Sequence, residues 1–340
     1  MNEIVEKLNE KINSFAHETN GLNIETGKMG ICLYFFLISN NLKTKRYQLW
    51  AGKLLDEIYE QFDKNLSEES IFDIIQVGIG FDFLIKQKYV NGNINQILSD
   101  IDNALFKWLT STKNQKKLTF ETFGIFYILY YLYIRLKTQK PKSDCQFLIE
   151  ELIIKAFNDV YSSLNSTFYD EPILFSFKSY KLPQFLYVLS KIHSTGFYNY
   201  RINEVIKEIA VIIQSRIPAL HANRLYLLWG LLHLKQSTGF TFWDEQINLI
   251  SQNIDIHRII ERELRNKQIF INDGISGIYL LMEALEKINC KIPFNLDLFR
   301  KQIYESDAWN ENLQQPMMFV YGMSGLLWVE QLINKRINIL

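Results

Sequence analysis

The feature that most constrains this chain is a pattern that returns from one end to the other: a polar turn with two glycines, then an apolar run at helical spacing. It is clearest in Asn272-Asp273-Gly274-Ile275-Ser276-Gly277-Ile278, Gly27-Lys28-Met29-Gly30-Ile31-Cys32 and Tyr321-Gly322-Met323-Ser324-Gly325-Leu326. Weaker copies are Val77-Gly78-Ile79-Gly80-Phe81 and Thr122-Phe123-Gly124-Ile125, while residues 181–189 and 225–232 keep only the apolar helix. These seven copies, about 40 to 60 residues apart, have the period of a repeat architecture.

Amphipathic segments alternate with the copies. Residues 1–16 place Ile4, Val5, Leu8, Ile12 and Phe15 on one helical stripe, and residues 200–215 do the same with Ile202, Val205, Ile206, Ile209, Ile212 and Ile213. Residues 43–62, 94–109, 147–164, 243–263 and 293–303 read as further two-faced helices, each buried on one side only. Strand signals are nearly absent. Seven pairs of one amphipathic and one apolar helix predict an all-α fold, an (α/α) toroid or barrel of about seven outer and seven inner helices, as a single domain over residues 1–340. Glycine is expected where the chain turns into each inner helix, for left-handed dihedrals and for close approach. Residues just before and between the glycines then point into the mouth of the ring.

The bulk composition narrows the function classes. Lys and Arg together number 37, as do Asp and Glu, so no global field favours nucleic acid or an anionic membrane. The longest apolar run, residues 123–134, is well short of the roughly 20 residues that cross a bilayer. Cys32, Cys145 and Cys290 are too scattered for a disulfide framework and show no metal-ligand spacing, and the first residues do not read as a signal peptide, so a cytoplasmic home is expected. The tyrosine-rich residues 126–133 read as core or as the hydroxyl-bearing lining of a peptide channel.

On Gly27-Lys28-Met29-Gly30-Ile31, on residues 75–84 with the downstream Val90-Asn91-Gly92-Asn93, and on Asp273-Gly274-Ile275-Ser276-Gly277-Ile278, the chain resembles the lanthionine synthetase C-like proteins, the lanthipeptide cyclases. The resemblance spans nearly the whole length. It implies a toroid of seven outer and seven inner helices, and an activity that closes thioether rings on a ribosomal peptide through a zinc-bound substrate thiolate. It also implies as partners a precursor or modified peptide, a dehydratase or a second cyclase, with no nucleic acid and no membrane span.

The resemblance also implies where the zinc ligands would stand, and this sequence departs there. Asn272 and Asp273 occupy the positions of a Cys-His pair, Leu225 that of the remaining Cys ligand, and Tyr180-Lys181-Leu182-Pro183 that of a His-Gly-Ile-Pro stretch. Leucine has no donor atom, so no metal and no cofactor is expected. The leading expectation is a zinc-free homologue that binds or scaffolds a peptide. A second is a metal-independent peptide-modifying or cyclising enzyme with Asp273, Tyr180, Tyr226 and His221 as catalytic candidates and Asn272 and Arg224 as substrate contacts. An α/α-toroid glycosidase is a third; it needs two carboxylates, and the mouth supplies Asp273 alone. Against these, Asp273 also reads as a cap on the sixth inner helix.

Overall fold

The computed structural model describes residues 2–62, 70–111, 118–122, 124–264, 268–310 and 314–337. Among these the chain forms 16 α-helices and no β-strand, as the alternating pattern predicts. The apolar members of the seven pairs are α2 (Lys28–Leu42), α4 (Ile71–Lys86), α7 (Ile125–Thr138), α9 (Lys181–His193), α11 (His221–Thr238), α14 (Ile275–Lys287) and α16 (Met323–Ile337). The amphipathic members are α1 (Asn2–Glu18), α3 (Lys45–Phe62), α6 (Ser99–Thr110), α8 (Asp144–Ser163), α10 (Asn199–Gln214), α12 (Asp244–Gln252) and α15 (Leu296–Tyr304). Two short helices, α5 (Ile94–Ile97) and α13 (Ile256–Arg258), complete the set.

Contacts group the chain into two compact units. Unit 1 comprises Met1–Trp108, Lys267–Tyr279 and Asn295–Leu340; unit 2 comprises Leu109–Asn266 and Leu280–Phe294. In unit 1, α2 packs against α1, α3, α4 and α16, so the first apolar helix touches the last. Every residue from Lys28 to Phe36 is buried, as a helix surrounded on all sides requires. Asn9, fully buried, links three helices: Tyr34 donates to its Oδ1 at 2.5 Å, and its Nδ2 donates to Tyr47 Oη at 3.0 Å. The Lys28 side chain is only 2% exposed and is charge-paired with Glu57 at 2.5 Å. Burial alone would raise the Glu57 pKa, but the hydrogen bonds and charges of Lys28 and His17 outweigh it and hold the carboxyl below its usual range.

In unit 2, α9 lies between α7 and α11, while α8, α10 and α12 pack on α7, α9 and α11 respectively. On α10 the stripe Ile202, Val205, Ile206, Ile209 and Ile213 is buried, and Lys207 and Glu208 face solvent. Burying each such aliphatic side chain contributes about 1.5–3 kcal/mol before the entropic cost of ordering it.

Two expected helices are broken. Residues 94–109 form α5 and α6, with the fully buried Leu98 at the break and Asn93 accepting from Asn95 N–H as a cap. Residues 243–263 divide at Asn253, whose side chain donates to the Leu249 carbonyl at 2.8 Å and ends α12. Asp255 then caps α13 by accepting from Arg258 N–H at 3.1 Å, and the chain passes into one π-helical turn, Ile259–Glu263.

The glycine expectation also needs correction. Gly78 and Gly80 lie inside α4 and Gly230 inside α11, not at a helix start. Gly80 and Gly230 serve helix contacts instead: a Cβ on Gly80 would sit 2.5 Å from Met29 Sδ, and one on Gly230 3.0 Å from the Pro183 carbonyl.

Candidate functional site

The residues that the sequence points to divide between the units. Asn272 and Asp273 belong to unit 1; Tyr180, His221, Arg224, Leu225 and Tyr226 belong to unit 2.

In unit 1 three apolar helices begin alike. At the head of α2, Lys28 N–H donates to the Gly21 carbonyl at 2.9 Å, Met29 to Leu22 at 3.2 Å and Gly30 to Asn23 at 3.4 Å. At α14, Ile275 donates to Gln268 at 3.0 Å and Ser276 to Ile269 at 3.3 Å; at α16, Met323 donates to Pro316 at 2.8 Å. Every one of these bonds reaches back seven residues, so the turn folds over the helix head and satisfies amides that a helix leaves open. The fold-back presses main chain against the glycines. A Cβ on Gly27 would meet the Gly21 carbonyl at 2.5 Å and one on Gly274 the Gln268 carbonyl at 2.6 Å; on Gly30, Gly322 and Gly325 it would overlap the carbonyls of Ile24, Pro316 and Phe319. None of these five has a positive φ, so glycine serves here for space and not for handedness.

Equivalent turn residues then bond to one another. Asn272 N–H donates to the Val320 carbonyl at 3.1 Å, and Val320 N–H to the Glu25 carbonyl at 3.1 Å; all three residues stand three places before their helix. The series ends on α4, where the buried Gln76 Oε1 accepts Ile24 N–H at 3.1 Å and Glu25 N–H at 3.3 Å. Asp273, half-buried, accepts from Gln268 Nε2 at 3.3 Å, and burial raises its pKa above the ordinary aspartate value. It does not cap α14, because the Gln268 and Ile269 carbonyls already take the leading amides.

In unit 2 the head of α11 is closed by side chains. Glu263, at the end of the π turn, accepts His221 N–H at 2.8 Å and Ala222 N–H at 2.9 Å. Glu171 accepts Ala219 N–H, Leu220 N–H at 3.4 Å and Asn223 Nδ2 at 2.8 Å. Two carboxylates thus occupy the positive end of the helix dipole. His221 Nδ1 accepts from Asp255 N–H at 3.0 Å, which places the ring proton on Nε2. Burial, aided by the Arg224 charge, lowers the His221 pKa, so the ring is neutral at pH 7 and its basic nitrogen is already engaged. Arg224 donates to the carbonyls of Pro218 at 2.6 Å, Asn253 at 2.8 Å and Ala219 at 3.3 Å; it clasps main chain.

Beside this helix head lies a cavity of about 610 Å³, within the range of small-ligand and side-chain pockets. Leu182, Leu227 and Ile213 give it apolar walls, and Tyr180, Glu171 and Arg216 give it polar ones. Arg216 pairs with Asp170 at 2.8 Å at the surface. Tyr226 stands behind Tyr180, ring centroids 6.2 Å apart and edge to face. Burial pushes both phenol pKa values well up; for Tyr180 the Glu171 charge adds to it. Both therefore stay protonated at neutral pH and cannot serve as bases.

The donor set implied for zinc does not fit the residues present. Leu225 is fully buried and has no lone pair to offer, and a soft metal is served poorly by the amide of Asn272. Among the described residues no three His, Cys, Asp or Glu side chains converge as a metal site would require. Cys32 is fully buried, donates to the Ala51 carbonyl at 3.4 Å and has its thiol pKa pushed up by burial; burial also raises that of Cys290. Neither is an activated thiol. Glu171, Glu263, Asp170 and Arg216 were not singled out by sequence. Glu171-Pro172 just ahead of the α9 turn was the available signal, whereas Glu263 is aimed by a π turn that no pattern announces.

No protein-family model matches this chain, and no curated protein matches it either.

Proposed function

We propose that this protein is a zinc-free lanthionine synthetase C-like protein that binds or scaffolds a peptide in ribosomal-peptide biosynthesis, in the cytoplasm. In this reading the seven helix pairs close into an (α/α) toroid, and a precursor or modified peptide, with a dehydratase or a second cyclase, is its partner. The observation that carries it is the main-chain series through Asn272, Val320 and Glu25, which joins corresponding turns of three copies in order and ends on the side chain of Gln76 within the helix of a fourth. Repeats related by rotation make this kind of contact, and the packing of α2 on α16 brings the first copy to the last. Leu225 in place of a sulfur donor, and a pocket whose Tyr180 phenol stays protonated and whose Glu171 is engaged at the head of α11, support binding over ring closure.

Metal analysis of the purified protein, together with incubation with a dehydrated Cys-containing precursor, tests the reading. Retention of the peptide without stoichiometric zinc and without thioether formation is expected. Bound zinc with ring closure overturns it.

A further inference from the structure

The cavity beside the head of α11 holds one polar group that the fold leaves unused. Tyr180 lines it and is only 2% exposed, next to the equally buried Leu182, Ile213 and Leu227. The main chain of Tyr180 is satisfied: its N–H donates to the Ser176 carbonyl at 3.1 Å, and its carbonyl accepts from Gln184 Nε2 at 3.3 Å. Its hydroxyl has no hydrogen-bond partner among the described residues. A phenol so deeply placed ordinarily finds one inside the fold, so an unpaired hydroxyl on a cavity wall marks a position where a guest gains a bond.

The charges around that hydroxyl select the guest. Two acids, Asp170 and Glu171, and one base, Arg216, line the cavity. Arg216 and Asp170 are both exposed and pair with each other at 2.8 Å. Glu171 has no such counter-ion. It accepts from the Ala219 and Leu220 amides and the Asn223 side chain, all neutral donors, and among the described residues no Lys or Arg lies within ion-pair distance of it. The balance is legible at Tyr180: after burial, the Glu171 charge does more to raise the phenol pKa than the Arg216 charge does to lower it. The field at the hydroxyl is therefore negative, which favours a cation and penalises a carboxylate.

We propose that this cavity binds an aliphatic primary ammonium, with its methylene chain against Leu182, Ile213 and Leu227 and its N–H groups on the Tyr180 hydroxyl and the Glu171 carboxylate. A phenolic oxygen accepts as well as donates, and a carboxylate held by neutral donors keeps its charge and spare lone pairs for an ammonium. A linear alkyl stem buries apolar surface while its charged end stays at the polar wall. A free alkylamine and a lysine side chain carry the same chemistry. The inference goes beyond the reading of the protein as a peptide scaffold and does not depend on it.

Ligand-observed NMR titration of the full chain at pH 7 tests it, with pentylammonium, 1-pentanol and pentanoate as guests of one shape and three charges. Pentylammonium is expected to bind at least tenfold more tightly than pentanol, about 1.4 kcal/mol, and pentanoate to bind least. Tyr180→Phe should weaken pentylammonium at least threefold, and Glu171→Gln should abolish most of its advantage over pentanol. Glu171 also holds the head of α11, so Arg216→Gln, on the exposed rim, gives a second reading of opposite sign: it removes the opposing charge and should tighten pentylammonium at least twofold. If Glu171→Gln fails to fold, Arg216→Gln decides. Equal affinities, tighter binding of pentanoate, no binding at all, an undiminished advantage in Glu171→Gln, or no tightening in Arg216→Gln overturns the proposal. So does an equal gain on Lys53→Gln, an exposed lysine of α3, since net charge alone would then be at work. Nα-acetyl-lysine N-methylamide and its norleucine counterpart separate the two sources. Ammonium-dependent binding of the lysine compound assigns the cavity to a side chain presented by another chain, and binding of pentylammonium alone assigns it to a free amine.

Discussion

The heads of α2 and α11 solve one problem in two ways. A helix begins with amides that have no partner in the helix itself. In unit 1 the preceding turn folds back and offers main-chain carbonyls, at α2, α14 and α16 alike. In unit 2 α11 takes Glu171 and Glu263 from two separate segments. The first solution demands glycine, because the folded-back backbone leaves no room for a Cβ. The second demands no glycine and, accordingly, none stands at the start of α11. It does demand that two carboxylates be delivered from elsewhere, and a capped α13 with a π turn delivers one of them.

The largest effect should come from breaking the main-chain solution. Gly325→Ala places a methyl group against the Phe319 carbonyl and 2.7 Å from Ile271 Cδ1, and is expected to cost about 3 kcal/mol by denaturant titration. Gly52→Ala is its control: nothing lies within 4 Å of a Cβ there, and in mid-helix it should stabilise by about 0.5–1 kcal/mol. Gln76→Leu tests the one place where a side chain enters the unit 1 series. It orphans the amides of Ile24 and Glu25 and should cost about 2 kcal/mol, seen as a lowered denaturant midpoint with unchanged slope.

Smaller effects sharpen the contrast. Glu263→Ala removes the acceptor for two amides and the charge at the helix dipole and should cost about 1 kcal/mol, with Glu263→Gln retaining part of it. Smallest is Asp273→Asn. Burial raises the Asp273 pKa, so the folded chain holds that proton more tightly than the unfolded one. Its contribution to stability is therefore best in acid and is lost as pH rises through the ordinary aspartate value to the raised one. The Asn variant should be slightly more stable than the parent at pH 7, and the gap should close on acidification; a loss of stability at neutral pH would show the carboxylate bonding favourably after all.

The period of the glycine turns and the alternation of one-faced with all-apolar helices made the helical fold legible, since both depend only on local composition. Of the two reasons expected for glycine, the left-handed dihedral is met at Gly124, which opens α7 with φ 69°, and close approach at the five glycines of unit 1. The turn residues needed space against a carbonyl six positions upstream, a distance that sequence does not display. Tyr180 lines a cavity, whereas His221 and Arg224 are occupied by Asp255 N–H and by three carbonyls. Those partners are main-chain atoms, which leave no trace in residue identity. For the same reason Glu263 was invisible: its role depends on a π turn, and the helix expected over residues 243–263 would have aimed it elsewhere.

The linkage from Asn272 to Val320 to Glu25 is written in peptide groups, and its three members are an amide, an aliphatic and an acid. These main-chain bonds do not depend on which side chain stands there, so long as the neighbouring glycines stay bare, and Glu25 adds to them by accepting the Tyr321 hydroxyl at 3.3 Å. A scaffold joined in this manner can change the side chains at its turns and keep its shape. Substitution at such posts rewrites what the surface does without disturbing what the frame is.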